Sequence, residues 1–131
     1  MNIAHVALWT RNLDAQVKFW ETIFSGRSNE RYLSKNRQGF ASHFIMLDNG
    51  PTIELMTVPD LPDAPVYPEF IGWAHIAINV GSKAKVDSMA EQARSGGTLL
   101  SAPRMTGDGF YEAVIADPDG NRIELVGEPT S

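Results

Sequence analysis

The chain repeats itself at an offset of seventy residues. Sliding it by that amount superimposes Ala4-His5-Val6-Ala7 on Ala74-His75-Ile76-Ala77 and, without a gap, Gly39-Phe40 on Gly109-Phe110. Ser25-Gly26 falls on Ser95-Gly96, Gly50 on Gly120, Ile53-Glu54-Leu55 on Ile123-Glu124-Leu125, and Pro59 on Pro129. A repeat restricts the fold more than local propensity does, because both halves must make one supersecondary unit. Apolar matches alone would follow from shared strand periodicity. Two histidines and two glutamates at one register do not.

Each half reads as βαβββ. Ile3–Trp9 alternates, with Ala4, Val6 and Leu8 on one face and His5, Ala7 and Trp9 on the other, so it is a strand. Asn12 caps a helix whose Val17, Trp20, Ile23 and Phe24 share a face, and Gly26 ends it. Strands follow near Ser28–Leu33, Gln38–Leu47 and Thr52–Thr57, with Asp48-Asn49-Gly50-Pro51 turning between the last two. In the second half Trp73–Val80 is a strand, and Ser82 caps a helix that buries Val86, Met89, Ala90 and Ala93. Gly96-Gly97 stops that helix. Strands near Thr98–Pro103, Phe110–Ala116 and Arg122–Val126 complete the half, with Asp117-Pro118-Asp119-Gly120-Asn121 as a tight turn. At 131 residues the chain suits a single domain with a real core. That domain is repeat 1–58 and repeat 72–131, joined by connector 59–71, which Pro59, Pro62, Pro65 and Pro68 keep extended.

His5 and Glu54 stand on the first and last strands of one half, and His75 and Glu124 on their counterparts. Both pairs are 49 residues apart. If the halves pair about a pseudo-twofold axis, two half-sites face one another and become one four-ligand cluster. Ile53 and Leu55 point to one side of their strand and Glu54 to the other, and Ile123 and Leu125 flank Glu124 likewise. A carboxylate partly buried on a concave sheet is costly unless compensated. Two carboxylates and two neutral imidazoles around a divalent ion sum to no net charge. With no cysteine in the chain, a metal must be held by His, Asp or Glu. Mixed nitrogen and oxygen donors suit Zn, Ni, Co, Fe or Mn better than Mg or Ca. Four protein ligands leave two octahedral positions for water or substrate. His43 has no repeat partner, since Ala113 takes its place, and reads as an ordinary strand residue. The Asp117–Asn121 stretch reads as turn chemistry, and Phe19, Trp20 and Phe24 as packing between helix and sheet.

Several partners are disfavoured. The formal charge is −5 with scattered Lys and Arg, and an acidic chain lacking a basic stripe is a poor nucleic-acid binder. No apolar run approaches membrane-spanning length, so no membrane partner is expected. The N-terminal residues lack the basic and apolar regions of a signal peptide, which makes a cytoplasmic location the expectation.

From Ile3-Ala4-His5-Val6-Ala7 to Asp117-Pro118-Asp119-Gly120-Asn121-Arg122-Ile123-Glu124-Leu125, the sequence resembles the vicinal-oxygen-chelate superfamily. That superfamily holds glyoxalase I, metal-dependent epimerases, extradiol dioxygenases, and fosfomycin and bleomycin resistance proteins. The resemblance implies an α+β fold: tandem βαβββ modules forming a cupped, mostly antiparallel eight-stranded sheet with helices on its outer face. The complete His, Glu, His, Glu set is most similar to bacterial glyoxalase I and glyoxalase-like proteins. It implies a metal-dependent lyase or isomerase of the lactoylglutathione lyase type acting on a small molecule. One divalent ion per site, Ni or Zn foremost, would be held by His5, Glu54, His75 and Glu124. Glu124 would be the base and Glu54 its pseudo-symmetric partner, moving a proton between vicinal carbons through a metal-stabilised enediolate. The resemblance also implies a homodimer. The alternatives are an acyl-thioester epimerase, a dioxygenase or thiol transferase, or a metal-free binding protein of the bleomycin-resistance kind. Where glyoxalase I tends to place a glutathione-contacting arginine on its first strand this chain has Trp9, and where it tends to place an asparagine after the fourth it has Val58. With Phe40 and Phe110, Trp9 points to a less polar substrate.

Overall fold

The computed structural model describes residues 1–67 and 69–128. The repeat match of Pro59 with Pro129 and the place of Pro68 in the connector lie outside the described residues. The chain divides into two compact units, Met1–Ala64 and Pro65–Ser131, with the boundary inside the proline-bearing connector.

The first unit is β1 (His5–Trp9), α1 (Leu13–Phe24), β2 (Arg27–Ser28), β3 (Tyr32–Leu33), β4 (Ala41–Met46) and β5 (Thr52–Thr57). Its sheet runs β1-β5-β4-β2, with β3 also on β4. The second unit is β6 (Ile76–Ser82), α2 (Lys83–Ser95), β7 (Leu99–Met105), β8 (Tyr111–Ala116) and β9 (Arg122–Glu128), with sheet order β6-β9-β8-β7. In each sheet the first and last strands pair parallel and the remaining pairs are antiparallel. The fold is therefore α+β, with a βαβββ module in unit two and the same module with its second strand split in two in unit one. The repeat extends to strand register. Val6 pairs with Ile53 as Ile76 pairs with Ile123, and Phe44 opposes Glu54 as Val114 opposes Glu124.

Three local differences from the sequence reading have physical causes. The strand expected over Ser28–Leu33 is broken into β2 and β3, which makes nine strands rather than eight among the described residues. Asn29 causes the break, because its side-chain oxygen accepts the Phe44 backbone N–H at 2.8 Å, in place of a regular ladder bond. β6 begins at Ile76, not Trp73, and extends through a bulge between Asn79 and Gly81. Helix α1 ends at Ser25, which takes the left-handed conformation at φ 55°, so Gly26 is not the terminator. Gly26 is needed for closeness instead: a Cβ there would lie 2.5 Å from Ile45 Cγ2. Gly26→Ala should cost about 1–3 kcal/mol by overpacking, measured by urea denaturation.

Both cores lie between helix and sheet. In unit one, Leu13, Gln16 and Trp20 of α1 are buried with Ile45, Ile53 and Leu55, and the Trp20 indole N–H donates to Gln16 Oε1 at 3.2 Å. Val17, Ile23 and Phe24 are only partly covered, so the inward face is turned slightly from the expected one. In unit two, Val86, Met89, Ala90 and Ala93 pack with Ala113, Ile115, Ile123 and Leu125. Both expected caps form: Asn12 Oδ1 accepts from Ala15 N at 3.0 Å and Ser82 Oγ from Lys85 N at 3.1 Å. Tyr111 ties β8 to α2 by donating its hydroxyl to Asp87, which raises the phenol pKa above its ordinary value. Among the described residues, no helix is long and apolar enough to cross a membrane.

Candidate functional site

The alternation that buries Ile53 and Leu55 under α1 turns Glu54 to the opposite face of the first sheet. Ala7 is the parallel partner of Glu54, which places His5 and Trp9 on that same face. His5 Nε2 lies 3.5 Å from Glu54 Oε1. The second unit builds the same pair. Ile123 and Leu125 are buried under α2, Glu124 faces the other way, and His75 Nε2 lies 3.0 Å from Glu124 Oε2. The carboxylates are the sheltered members, with side chains 17% and 21% exposed, against 46% and 39% for His5 and His75. Phe44, opposite Glu54, meets the His5 ring edge-on at 5.7 Å and limits its rotation.

Among the described residues, no group of three or more His, Asp or Glu side chains could hold a cation by itself. Each unit supplies two donors, an imidazole nitrogen and a carboxylate oxygen. Imidazole nitrogen and carboxylate oxygen are the donor types that borderline divalent ions take.

A residue without a repeat partner enlarges the second pair. Glu112 stands on the same face of β8, one side-chain step from Val114, the residue opposite Glu124. Its carboxyl is pushed up to about 7 by hydrogen bonding to Glu124, then by burial and by the negative charges of Glu124 and Asp108, while Arg104 pulls it down. The offset places Ser42 at this position in unit one, so the repeat gave no sign of Glu112. Strand alternation counted back from Glu124 through its partner Val114 would have found it.

The aromatic candidates divide between the units. Trp9 and Phe40 meet edge to face at 6.2 Å in unit one. Phe110, half exposed, immediately precedes β8 in unit two, with its backbone bonded to Thr106. His43 stands on the face of β4 opposite to that of Glu54. It pairs with buried Leu55, and its Nδ1 is within 3.1 Å of Ser28 Oγ and of the Asn29 carbonyl oxygen. Asp117 acts in its turn by accepting from the Asn121 backbone N–H at 2.8 Å and from Asp119 N at 2.9 Å.

Residues 2–125 match the family model of the glyoxalase/bleomycin resistance protein/dioxygenase superfamily. The chain belongs to that superfamily. An uncharacterized protein of Pseudomonas aeruginosa is 30% identical over 97% of this chain and 89% of its own length. A glyoxylase/bleomycin resistance protein/dioxygenase domain from Frankia superimposes with a TM-score of 0.82 at 17% identity, covering 98% of this chain and 92% of that one. The trypanothione-dependent glyoxalase I of Leishmania major gives 0.74 at 20% identity, covering 98% and 87%. At such identities the superpositions establish the shared fold. Within this superfamily fold, the sheet faces opposite the helices carry both His–Glu pairs.

Proposed function

We propose that the protein is a divalent-metal-dependent lyase or isomerase of glyoxalase type, moving a proton between adjacent carbons of a small substrate. The observation that carries this reading is one His–carboxylate pair built twice, at 3.5 and 3.0 Å, from equivalent positions of two repeats. A complete ligand set needs a His5–Glu54 pair to meet a His75–Glu124 pair, from the same chain or from a second copy in a homodimer. Ni or Zn best suits these donors, with Co, Mn and Fe also compatible. When bound, such an ion supplies Lewis acidity towards two neighbouring substrate oxygens.

The protein's own groups do the rest. Glu124 is the base that takes the proton from one carbon and returns it to the next. His75 orients its carboxylate. Glu54 is the pseudo-symmetric partner, with Ser42 at the position equivalent to Glu112. The sheltered setting of Glu54 and Glu124 keeps bulk water from competing for the proton.

Metal binding is the first test. Protein purified without chelator should contain one divalent ion per quartet by elemental analysis. His5→Ala and His75→Ala should each weaken Ni or Zn binding at least about tenfold by calorimetry, since even outer-shell losses have effects of that order. Clean apo-protein with no affinity for Zn, Ni or Mn would sink the proposal and leave a metal-free binding module.

A further inference from the structure

The face that carries Glu54 continues into a cluster found only in unit one. Trp9 pairs with Met56, two residues beyond the Ala7–Glu54 pair, so it lies about 7 Å further along the strands. Its ring meets Phe40 edge-on, and Phe40 meets Tyr32 at 6.4 Å. Trp9 is 45% exposed and Tyr32 52%, an aromatic surface left open beside a polar pair. The guanidinium carbon of Arg37 lies 5.7 Å from the Trp9 ring centroid and 5.9 Å from that of Phe40. Ion pairs among the described residues engage Arg11, Arg27, Arg31 and Arg94 but not Arg37. Its charge rests against ring faces, and among the described residues its N–H donors meet no carboxylate.

The loop that presents Arg37 is held in place. Ser34 Oγ accepts from the backbone N–H of Asn36 at 3.2 Å and of Arg37 at 2.9 Å. Phe40 N donates to Arg37 O, and Ser34 N to Phe40 O, each at 3.1 Å. Gly39, at φ +81°, lets this turn lie against Pro59, where a Cβ would come within 2.4 Å of Cγ. Nor does the fold demand the cluster. Seventy residues on from Trp9, Tyr32 and Arg37 stand Asn79, Ala102 and Gly107, and only Phe40 has an equivalent, Phe110. The His–Glu pairs are duplicated while this group is unique, so the face beside Glu54 in unit one differs chemically from the face beside Glu124 in unit two.

We propose that Trp9, Phe40 and Arg37 form a recognition subsite for an aryl group bearing a carboxylate, at the end of the substrate remote from Glu54. This deepens the glyoxalase-type reading and rests on it for the identity of the reacting end. A flat ring packs on the exposed indole, and the fork of Arg37 donates to the carboxylate. A guanidinium already stacked on aromatic faces is preorganised, so little rotamer entropy is lost on binding.

The test uses chelator-treated protein and three probes: 2-naphthoate, naphthalene-2-carboxamide and cyclohexanecarboxylate. Binding is followed at the Trp9 indole N–H in ¹H–¹⁵N spectra, assigned by its loss in Trp9→Phe. The expected result is saturable movement of that signal with 2-naphthoate. The other two probes should bind at least about fivefold more weakly, and Arg37→Gln should weaken 2-naphthoate about tenfold, as loss of one charge-assisted contact does. Arg37 is exposed and makes no ion pair among the described residues, so Arg37→Gln should retain the dispersed spectrum of the parent. No saturable movement, equal binding of the carboxamide, or unchanged affinity in Arg37→Gln each overturns the subsite. Because the metal is removed, the two readings fail separately: naphthoate binding without cation affinity sinks only the metal reading, and the reverse sinks only the subsite.

Discussion

Glu124→Gln is expected to lower turnover of the methylglyoxal–glutathione hemithioacetal by about 10²–10⁴-fold, the usual scale for a lost general base. Divalent-metal binding should persist, because glutamine keeps the shape and one oxygen donor. What it loses is basicity. The side chain is aimed by its strand: Ile123 and Leu125 are buried under α2, so position 124 has one face to occupy, and His75 Nε2 at 3.0 Å fixes the carboxylate there. Glu112 can still hydrogen-bond an amide at 124, so the substitution leaves that neighbour partnered. The control is Glu54→Gln, which changes the same residue type on the equivalent strand, where Ser42 replaces Glu112. Single-turnover rates and solvent-deuterium incorporation measure both variants. Turnover of Glu124→Gln within about twofold of the parent would refute the base assignment. Collapse in Glu54→Gln alone would move the base to the first unit. A parent protein inert towards this hemithioacetal but active on acyl thioesters would retain the base while changing the substrate, an outcome that Trp9 and Val58 make reasonable.

Much of this was readable before any coordinates, for a physical reason. A duplicated unit repeats its strand register, and register decides which side chains share a face. The seventy-residue offset therefore located His5 with Glu54 and His75 with Glu124 from residue identity alone, and the observed 3.5 and 3.0 Å pairs follow. Contacts that depend on one half only were not readable in the same way. Glu112 has Ser42 as its counterpart, and Arg37 has Gly107, so neither stood out in the self-comparison. Arg37 also reaches Trp9 from a loop whose path depends on Gly39 meeting Pro59, twenty residues away. The break between β2 and β3 arises from one Asn29 side chain competing with the ladder, a choice that strand propensity does not encode. The same holds for Ser25 and Gly26. A helix-ending glycine is the ordinary expectation, yet the close approach of Ile45 claims Gly26 and leaves the left-handed position to serine.

Leu125→Ala is expected to destabilise the second unit by about 2–5 kcal/mol, the cost of deleting a fully buried leucine and leaving its cavity. Leu125 is 0% exposed and sits with Ile123 on the face covered by α2. Leu55→Ala should behave alike in unit one, because Leu55 is also 0% exposed at the equivalent position. Met105→Ala, at a residue 52% exposed on β7, should change stability by no more than about 0.5 kcal/mol. Urea denaturation followed by far-ultraviolet circular dichroism measures all three, and a cost below about 1 kcal/mol at Leu125 would contradict the packing described. The same substitution reaches the site. Glu124 can face away from the core only because its two neighbours face into it, and a strand that loses one anchor is less firmly held against rotation and slippage. Metal affinity should therefore fall in Leu125→Ala under conditions where the protein remains folded, and Met105→Ala should leave it unchanged. A leucine that touches no ligand then controls the aim of a carboxylate, since alternation along one strand makes core packing and site geometry a single property.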